Sequence, residues 1–384
     1  MKALQIPVVE LPRETENLRR EIRLFIQQKI DSGLIEPKCD SWLSGYSAEF
    51  SKDMGRRGWI GMTWPKKYGG GERPSIERYV VTEEMLAAGA PVAGHWIADR
   101  QTGPLLLKYG TEKQKHFFLP RIAKGECFFA IGLSEPNAGS DLANIQTRAM
   151  KVDKGWILNG SKTWTSGAHF SHYSIVLCRT SPQDPDNRHS GMSQLILDLK
   201  APGVTIRPIH LMTGEHHFNE IFFDDVFVPD DLAVGEIGNG WAQGMAELAY
   251  ERSGPERILS TYPLLNELTN ILIEQGNTES LNKVSRLISR LWTLRNMSLG
   301  IAQLLEEGVP SNMIASLVKD MGTKFEQEIP EITRLLVSVT PSVNSESLIE
   351  KYLAQSILQS PGFTLRGGTS EILRGIIAKG VIQQ

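Results

Sequence analysis

The chain contains no run of about 18 consecutive apolar residues, the length a membrane-crossing helix needs. Its opening stretch, Met1 to Leu11, has no continuous apolar core and carries Glu10, with Glu14 just beyond. A membrane span and a secretory leader are therefore not expected. Cysteine is scarce. Cys39, Cys127 and Cys178 lie far apart without metal-type spacing, so neither a disulfide framework nor a cysteine metal site is expected, and each reads as a buried small hydrophobe. Excess charge is scarce too: 41 basic against 44 acidic residues leave a net charge of −3, too little for a nucleic-acid or anionic-membrane footprint. Internal repeats, low-complexity tracts, the phosphate-loop lysine pattern and the dinucleotide glycine fingerprint are all missing. With 41% hydrophobic and 22% charged residues, dominant disorder is excluded as well. The expectation is a soluble, cytoplasmic protein that binds no metal and no nucleic acid.

What is present divides into three textures. Residues 1–124 are mainly helical, as in the stripe Leu18, Ile22, Phe25 and Ile26 beside the charges of Arg19, Arg20 and Glu21. A Gly/Pro-rich loop interrupts them from Trp64 to Gly71. Residues 125–236 hold short apolar runs between Gly, Pro and Asp clusters, among them Trp156 to Leu158, Ser174 to Cys178, Gln194 to Leu199 and Glu220 to Phe223. Asn159-Gly160 reads as a turn signal, and the region predicts a mainly antiparallel β domain. Residues 237–384 return to the helical period, with Leu281, Val284, Ile288 and Leu291 expected on one face. The fold class that follows is α+β: an N-terminal helical domain, a middle β domain and a C-terminal helical bundle.

The segment Gly132-Leu133-Ser134-Glu135-Pro136-Asn137-Ala138-Gly139-Ser140-Asp141 is the most informative. A strand-like run delivers the chain into a loop of small residues, which permits close backbone approach to a ligand, with hydroxyls at Ser134 and Ser140. Other landmarks follow in order: Tyr109 to Glu112, Phe118 to Pro120 and Gly125, Asn159 to Gly167, Phe222 to Pro229, Gly235 to Trp241, and Gly367-Gly368-Thr369-Ser370-Glu371-Ile372. This ordered set resembles the acyl-CoA dehydrogenase family.

The resemblance implies lipid catabolism, FAD as cofactor, an acyl-CoA thioester as substrate and an electron-transfer flavoprotein as acceptor. On matching positions, Ile131, Leu133 and Ser134 would meet the isoalloxazine edge, Trp164 would lie beside the ring and Ser166 would bond near N5. Thr369 and Glu371 would hold the FAD of the same subunit. Ser140, which also touches the cofactor region, Tyr250, Arg252 and Gly368 would face the acyl-CoA.

Desaturating a thioester needs a base for the α-proton and donors for the enolate oxygen. The family's usual base position, immediately before the terminal Gly-Thr, is Gly367 here, which has no side chain. Its backbone N–H remains as an oxyanion donor. The family's alternative position, on the first helix of the C-terminal domain, matches Glu251 within Met245 to Arg252. Glu247, one turn earlier, and Glu256, beyond Gly254-Pro255, are weaker candidates. The proline should end or kink that helix.

Two family elements are missing. No Arg-x-x-Phe-Gly stretch occurs between Tyr262 and Lys283, and residues 355–363 read QSILQSPGF where a Gln-x-Gly-Gly loop is usual. In the family both reach the FAD of a neighbouring subunit. The chain thus resembles members with short C-termini that act on bulky ring-bearing thioesters and divide the work with a homologous subunit. A heterotetramer is the expectation, with a homotetramer using Arg286, Arg290 or Arg295 instead as the alternative. An oxygen-using flavoenzyme of the same fold and a non-catalytic subunit are the competing functions.

Overall fold

The short apolar runs of the middle region become one eight-stranded sheet. In the computed structural model, residues 5–252, 254–309 and 312–382 are described, without the side chains of residues 246–251. The strands are β1 (Phe129–Gly132), β2 (Arg148–Val152), β3 (Gly155–Lys162), β4 (Tyr173–Arg179), β5 (Met192–Asp198), β6 (Val204–Ile209), β7 (Phe218–Pro229) and β8 (Ala233–Val234). They lie in the order β6-β7-β3-β2-β4-β5-β8, with β1 added beside β4. Pairing is largely antiparallel, but β1 enters parallel to β4, with Ile131 opposite Ile175. Leu158, Val176, Leu195, Ile221, Phe223 and Val226 bury the inner face, each contributing roughly 1.5–3 kcal/mol of transfer free energy.

Asn159-Gly160 is not a turn. β3 runs straight through it, and its register against β7 shifts between Leu158 and Gly160, a β-bulge. Two causes are visible. The Asn159 side chain donates to Asp225 Oδ1 at 2.9 Å and accepts from the Asp225 N–H at 3.0 Å, so it is spent across the ladder. Gly160 sits at φ +138°, and a Cβ there would lie 2.7 Å from Thr147 Cα. The glycine answers a close approach within the sheet.

The sheet belongs to a contact unit made of residues 46–73 and 93–248. Its helix Glu112–Ala123 opens with a capping box of Thr111 and Gln114. The Gln114 amide also donates to Asp231 O and Ala233 O at 2.8 and 2.7 Å, tying the helix to the start of β8. In the loop from Trp64 to Gly71 the indole of Trp64 is buried.

The other unit comprises residues 1–45, 74–92 and 249–384. Its helix Glu14–Asp31 buries Leu18, Ile22, Phe25 and Ile26, the stripe read from the period. Between the helices lies a charged knot: Glu83 takes Arg19 at 2.9 Å and Arg295 at 2.5 Å, and Glu84 takes Arg23 at 2.6 Å. The helix Thr278–Glu306 buries Ser280, Val284, Leu287, Leu294 and Ser298. Ile288 departs from the expected face and is 45% exposed, because it lies about 100° around the helix from Leu287. All three cysteines are buried and free, and burial pushes their thiols up to about 12, which removes them as nucleophiles. Among the described residues no helix is long and apolar enough to cross a membrane, and no three His, Cys, Asp or Glu side chains gather as a metal site.

Candidate active site

In the sheet unit, β1 ends at Gly132 and hands the chain to Leu133 and Ser134, both half-buried. The loop then closes on itself: Glu135 and Ala138 exchange two backbone hydrogen bonds of 3.0 Å around Pro136-Asn137. Ser134 O accepts from the Thr163 N–H at 2.9 Å, which sets Leu133-Ser134 beside the end of β3. Two of the sequence motifs therefore meet here. Ile131 is half-buried inside β1, whereas Ser140 is exposed at the outer end of the loop, next to Asp141, which pairs with Arg188 at 2.7 Å.

Beyond Thr163 the chain does something costly. Trp164 holds a left-handed backbone, φ +57°, and leaves 56% of its surface exposed. For a bulky residue such a conformation costs about 1–3 kcal/mol and persists only where neighbours enforce it. Asn219 is the enforcer. Thr165 and Asn219 exchange backbone bonds of 3.0 and 3.1 Å, the Asn219 amide donates to Thr165 O at 3.0 Å, and Gly167 N–H donates to His217 O at 2.8 Å. His216 Nε2 lies 2.7 Å from Asn219 Oδ1, completing the brace. Half-buried Ser166 sits between the two anchored residues. Thr165 Oγ1 is buried with no partner among the described residues. An exposed indole on a strained backbone, flanked by Ser166 and an orphan hydroxyl, fits a flat heteroaromatic group with hydrogen-bonding edges, as FAD has.

Lys162 and Glu135 were not assigned roles from the sequence, yet they meet under this face. Lys162 is fully buried and donates to Glu135 Oε1 at 2.8 Å and to Leu133 O at 2.9 Å. Burial pushes its amine below the usual lysine value, against the pull of Glu135. Burial would raise the Glu135 carboxyl, but Lys162 and the amides of Thr147 and Gln146 outweigh it and hold it below the usual range. The signal in the sequence was one glutamate and one lysine inside motifs that are otherwise uncharged apart from the exposed Asp141.

In the helical unit the first C-terminal helix stops at Glu251, and Pro255 opens a short 3-10 turn, Pro255–Arg257. The side chains of Glu247, Tyr250 and Glu251 lie outside the described residues. Glu256 is buried. Arg252 is buried and donates to Asn312 Oδ1 at 2.9 Å. One of its nitrogens stands 3.7 Å from where a Cβ on Gly368 would be, so Arg252 and Gly368 adjoin.

Gly367 and Gly368 have φ +65° and +95°. Both are glycine because the terminal loop turns left-handed twice in succession. Lys319, also fully buried, donates to Gly368 O at 2.9 Å and Phe363 O at 3.2 Å. Arg366 grips Asp40 with bonds of 2.8 and 2.6 Å, reaches Ser260 Oγ at 2.9 Å, and stacks 4.3 Å from the Phe363 ring. The main chain at Gly367 is thus fixed from both sides. Thr369 Oγ1 accepts from the Ile372 N–H at 3.3 Å at the start of the helix Ser370–Ile382. Glu371 is exposed; its own backbone N–H and the Thr369 hydroxyl keep its carboxyl below the usual range. Of the three arginines considered as replacements, Arg295 is committed to Glu83, and Arg290 pairs with Glu328.

Glu326 adjoins the same clamp and accepts from the Ser260 N–H at 2.6 Å. Complete burial pushes its carboxyl from 4.5 up to about 7, with Arg366 pulling the other way. The folded value exceeds the unfolded one, so its contribution to stability is full below pH 4.5 and is lost as pH rises to about 7. Glu326→Gln is expected to remove that loss, a difference of roughly 3 kcal/mol above pH 7. Urea midpoints of both proteins at pH 5 and pH 8 check this; parallel pH profiles would refute it.

Among proteins of known family, the model of the acyl-CoA dehydrogenase N-terminal domain matches residues 12–126, and that of the acyl-CoA dehydrogenase middle domain matches residues 130–226. Acyl-CoA dehydrogenase FadE26 of Mycobacterium tuberculosis is 31% identical over 393 residues, 95% of each chain. FadE34 of the same organism is 33% identical over 321 residues, 82% of this chain but only 43% of FadE34's own length. Among solved structures, the Tcur3481-Tcur3483 steroid ACAD superimposes with a TM-score of 0.86 at 28% identity, over 98% of both chains. The ChsE4-ChsE5 complex from Mycobacterium tuberculosis gives 0.83 at 28% identity, over 98% of this chain and 99% of that one.

Proposed function

Because the chain belongs to the acyl-CoA dehydrogenase family, we propose that it desaturates an acyl-CoA thioester with Glu251 as the base that removes the α-proton. FAD, when bound, supplies the acceptor for the β-hydride, and an electron-transfer flavoprotein takes the electrons onward. Leu133, Ser134, Trp164 and Ser166 hold the flavin ring, Ile131 backs its edge, and Thr369 and Glu371 bind the cofactor through their polar side chains. The Gly367 N–H donates to the thioester oxygen as negative charge builds there, lowering the cost of proton removal. Ser140, Tyr250, Arg252 and Gly368 contact the acyl-CoA.

The observation that carries this reading is the terminal loop. It keeps its main chain pinned by Lys319 and Arg366 while offering no carboxylate at 367. A loop held for its N–H, with the base moved elsewhere, is what such a division needs.

We further propose a heteromer. The elements that would reach a neighbour's FAD are missing, and two of the three substitute arginines are already paired. The two-chain names of Tcur3481-Tcur3483 and ChsE4-ChsE5 support a homologous partner, and the word steroid in the first supports a ring-bearing acyl group. The test is flavin content from visible absorbance. The chain purified alone is expected to carry far less than one FAD, and the chain co-produced with a homologous subunit to retain it. One FAD per chain in the protein purified alone would refute the heteromer.

A further inference from the structure

We infer that Lys162 and Glu135 are a positioning pair: their buried ion pair holds the Leu133-Ser134 segment against the end of β3 and so sets the main chain on which the flavin edge rests. This rests on the flavin reading above and goes beyond it, since neither residue touches the site surface.

Three observations carry it. First, Lys162 divides its donors between the Glu135 carboxylate and the Leu133 carbonyl, one residue before Ser134 and two before Glu135 itself. The amine thereby closes a ring through the peptide units that the flavin would meet. Second, the carboxylate is not idle at its other end. Glu135 Oε2 accepts from Gln146 N–H at 2.6 Å and Oε1 from Thr147 N–H at 2.9 Å, anchoring the loop to the chain entering β2. Third, space has been made for the lysine stem. A Cβ on Gly132 would lie 3.1 Å from Lys162 Cγ, so a larger residue there would press on the stem.

The energetics say what such a pair is for. Two desolvated charges cost nearly as much as their attraction returns, and well-packed apolar replacements are often no less stable. What the pair supplies is a fixed donor geometry: only a cation at this depth satisfies the Leu133 carbonyl and the Glu135 carboxylate together. Its expected signature is a separation of position from stability.

The test compares wild type with Lys162→Met and with Lys162→Met/Glu135→Gln, each as the full chain co-produced with a homologous subunit. The single variant leaves a carboxylate buried without its cation and is expected to be destabilised. The double variant removes both charges but sets an amide nitrogen against the Gln146 or Thr147 N–H, so it is expected to recover part of the stability the single variant loses. In the double variant, the Thr163 N–H, which donates to Ser134 O, is nevertheless expected to exchange with solvent at least tenfold faster, and FAD to dissociate at least tenfold more readily.

Unchanged exchange in the double variant would overturn the assignment. Faster exchange with unchanged FAD affinity would overturn its connection to the cofactor. Wild type that takes up no FAD even with a homologous subunit would overturn the flavin reading, and the exchange result would still decide whether the pair holds the loop.

Discussion

Glu251→Gln is expected to lower turnover of an acyl-CoA thioester by about 10²–10⁴-fold, with flavin content and melting temperature unchanged. The substitution keeps shape and hydrogen-bonding capacity and removes only the ability to accept a proton. Glu251 is proposed because it matches the family's alternative base position on the first C-terminal helix, with Glu247 and Glu256 as the weaker candidates. Gly367 has no side chain, Glu371 is exposed and engaged with Thr369 and its own amide, and Glu326 is fully buried against Ser260. Stopped-flow reduction of the bound flavin is the direct readout, because it follows the chemical step alone. Turnover within twofold of wild type would take Glu251 out of the mechanism.

Asp40→Asn is expected to destabilise the helical unit by about 1.5–3 kcal/mol, the worth of charge-assisted hydrogen bonds between a buried carboxylate and a half-buried guanidinium. Asp40 is 4% exposed and receives both bonds from one Arg366 nitrogen, at 2.8 and 2.6 Å. Asparagine is the right replacement because Asp40 has φ +54°, a left-handed value that Asn tolerates and Ala does not. Loss of stability is then assignable to charge rather than to backbone strain. Arg366 immediately precedes Gly367, so the variant is also expected to lower turnover under conditions where it is fully folded. The urea midpoint and turnover at 10 °C separate the two effects. A midpoint within experimental error of wild type would show that Ser260 and the rings of Trp42 and Phe363 hold Arg366 without the carboxylate.

Some of this molecule was legible in its sequence and some was not, and the division has a physical basis. The stripe of Leu18, Ile22, Phe25 and Ile26, the strands from 129 to 234 and the end of the helix at Glu251 follow from periods of a few residues and from the backbone limits of proline and glycine. The family, and with it the reaction, was legible in ordered motifs. The same local reasoning misread Asn159-Gly160, because the competing partner, Asp225, is 66 residues away. It misplaced Ile288 by one position on its helix, since a mean period does not say where the centre of a buried face falls.

The supports of the site were beyond its reach for the same reason. Lys162 finds Glu135 across 27 residues, Lys319 finds Gly368 across 49, and Arg366 finds Asp40 across 326. In the sequence each of these is one more charged residue, with water as the default partner. The sequence alone supplied the candidate groups for the chemistry, because hydroxyls, an indole and a carboxylate carry their chemistry with them. Only the tertiary structure decided which charges are buried and what they hold in place. That outcome depends on desolvation and on partners brought together by folding, and neither is a property of a residue by itself.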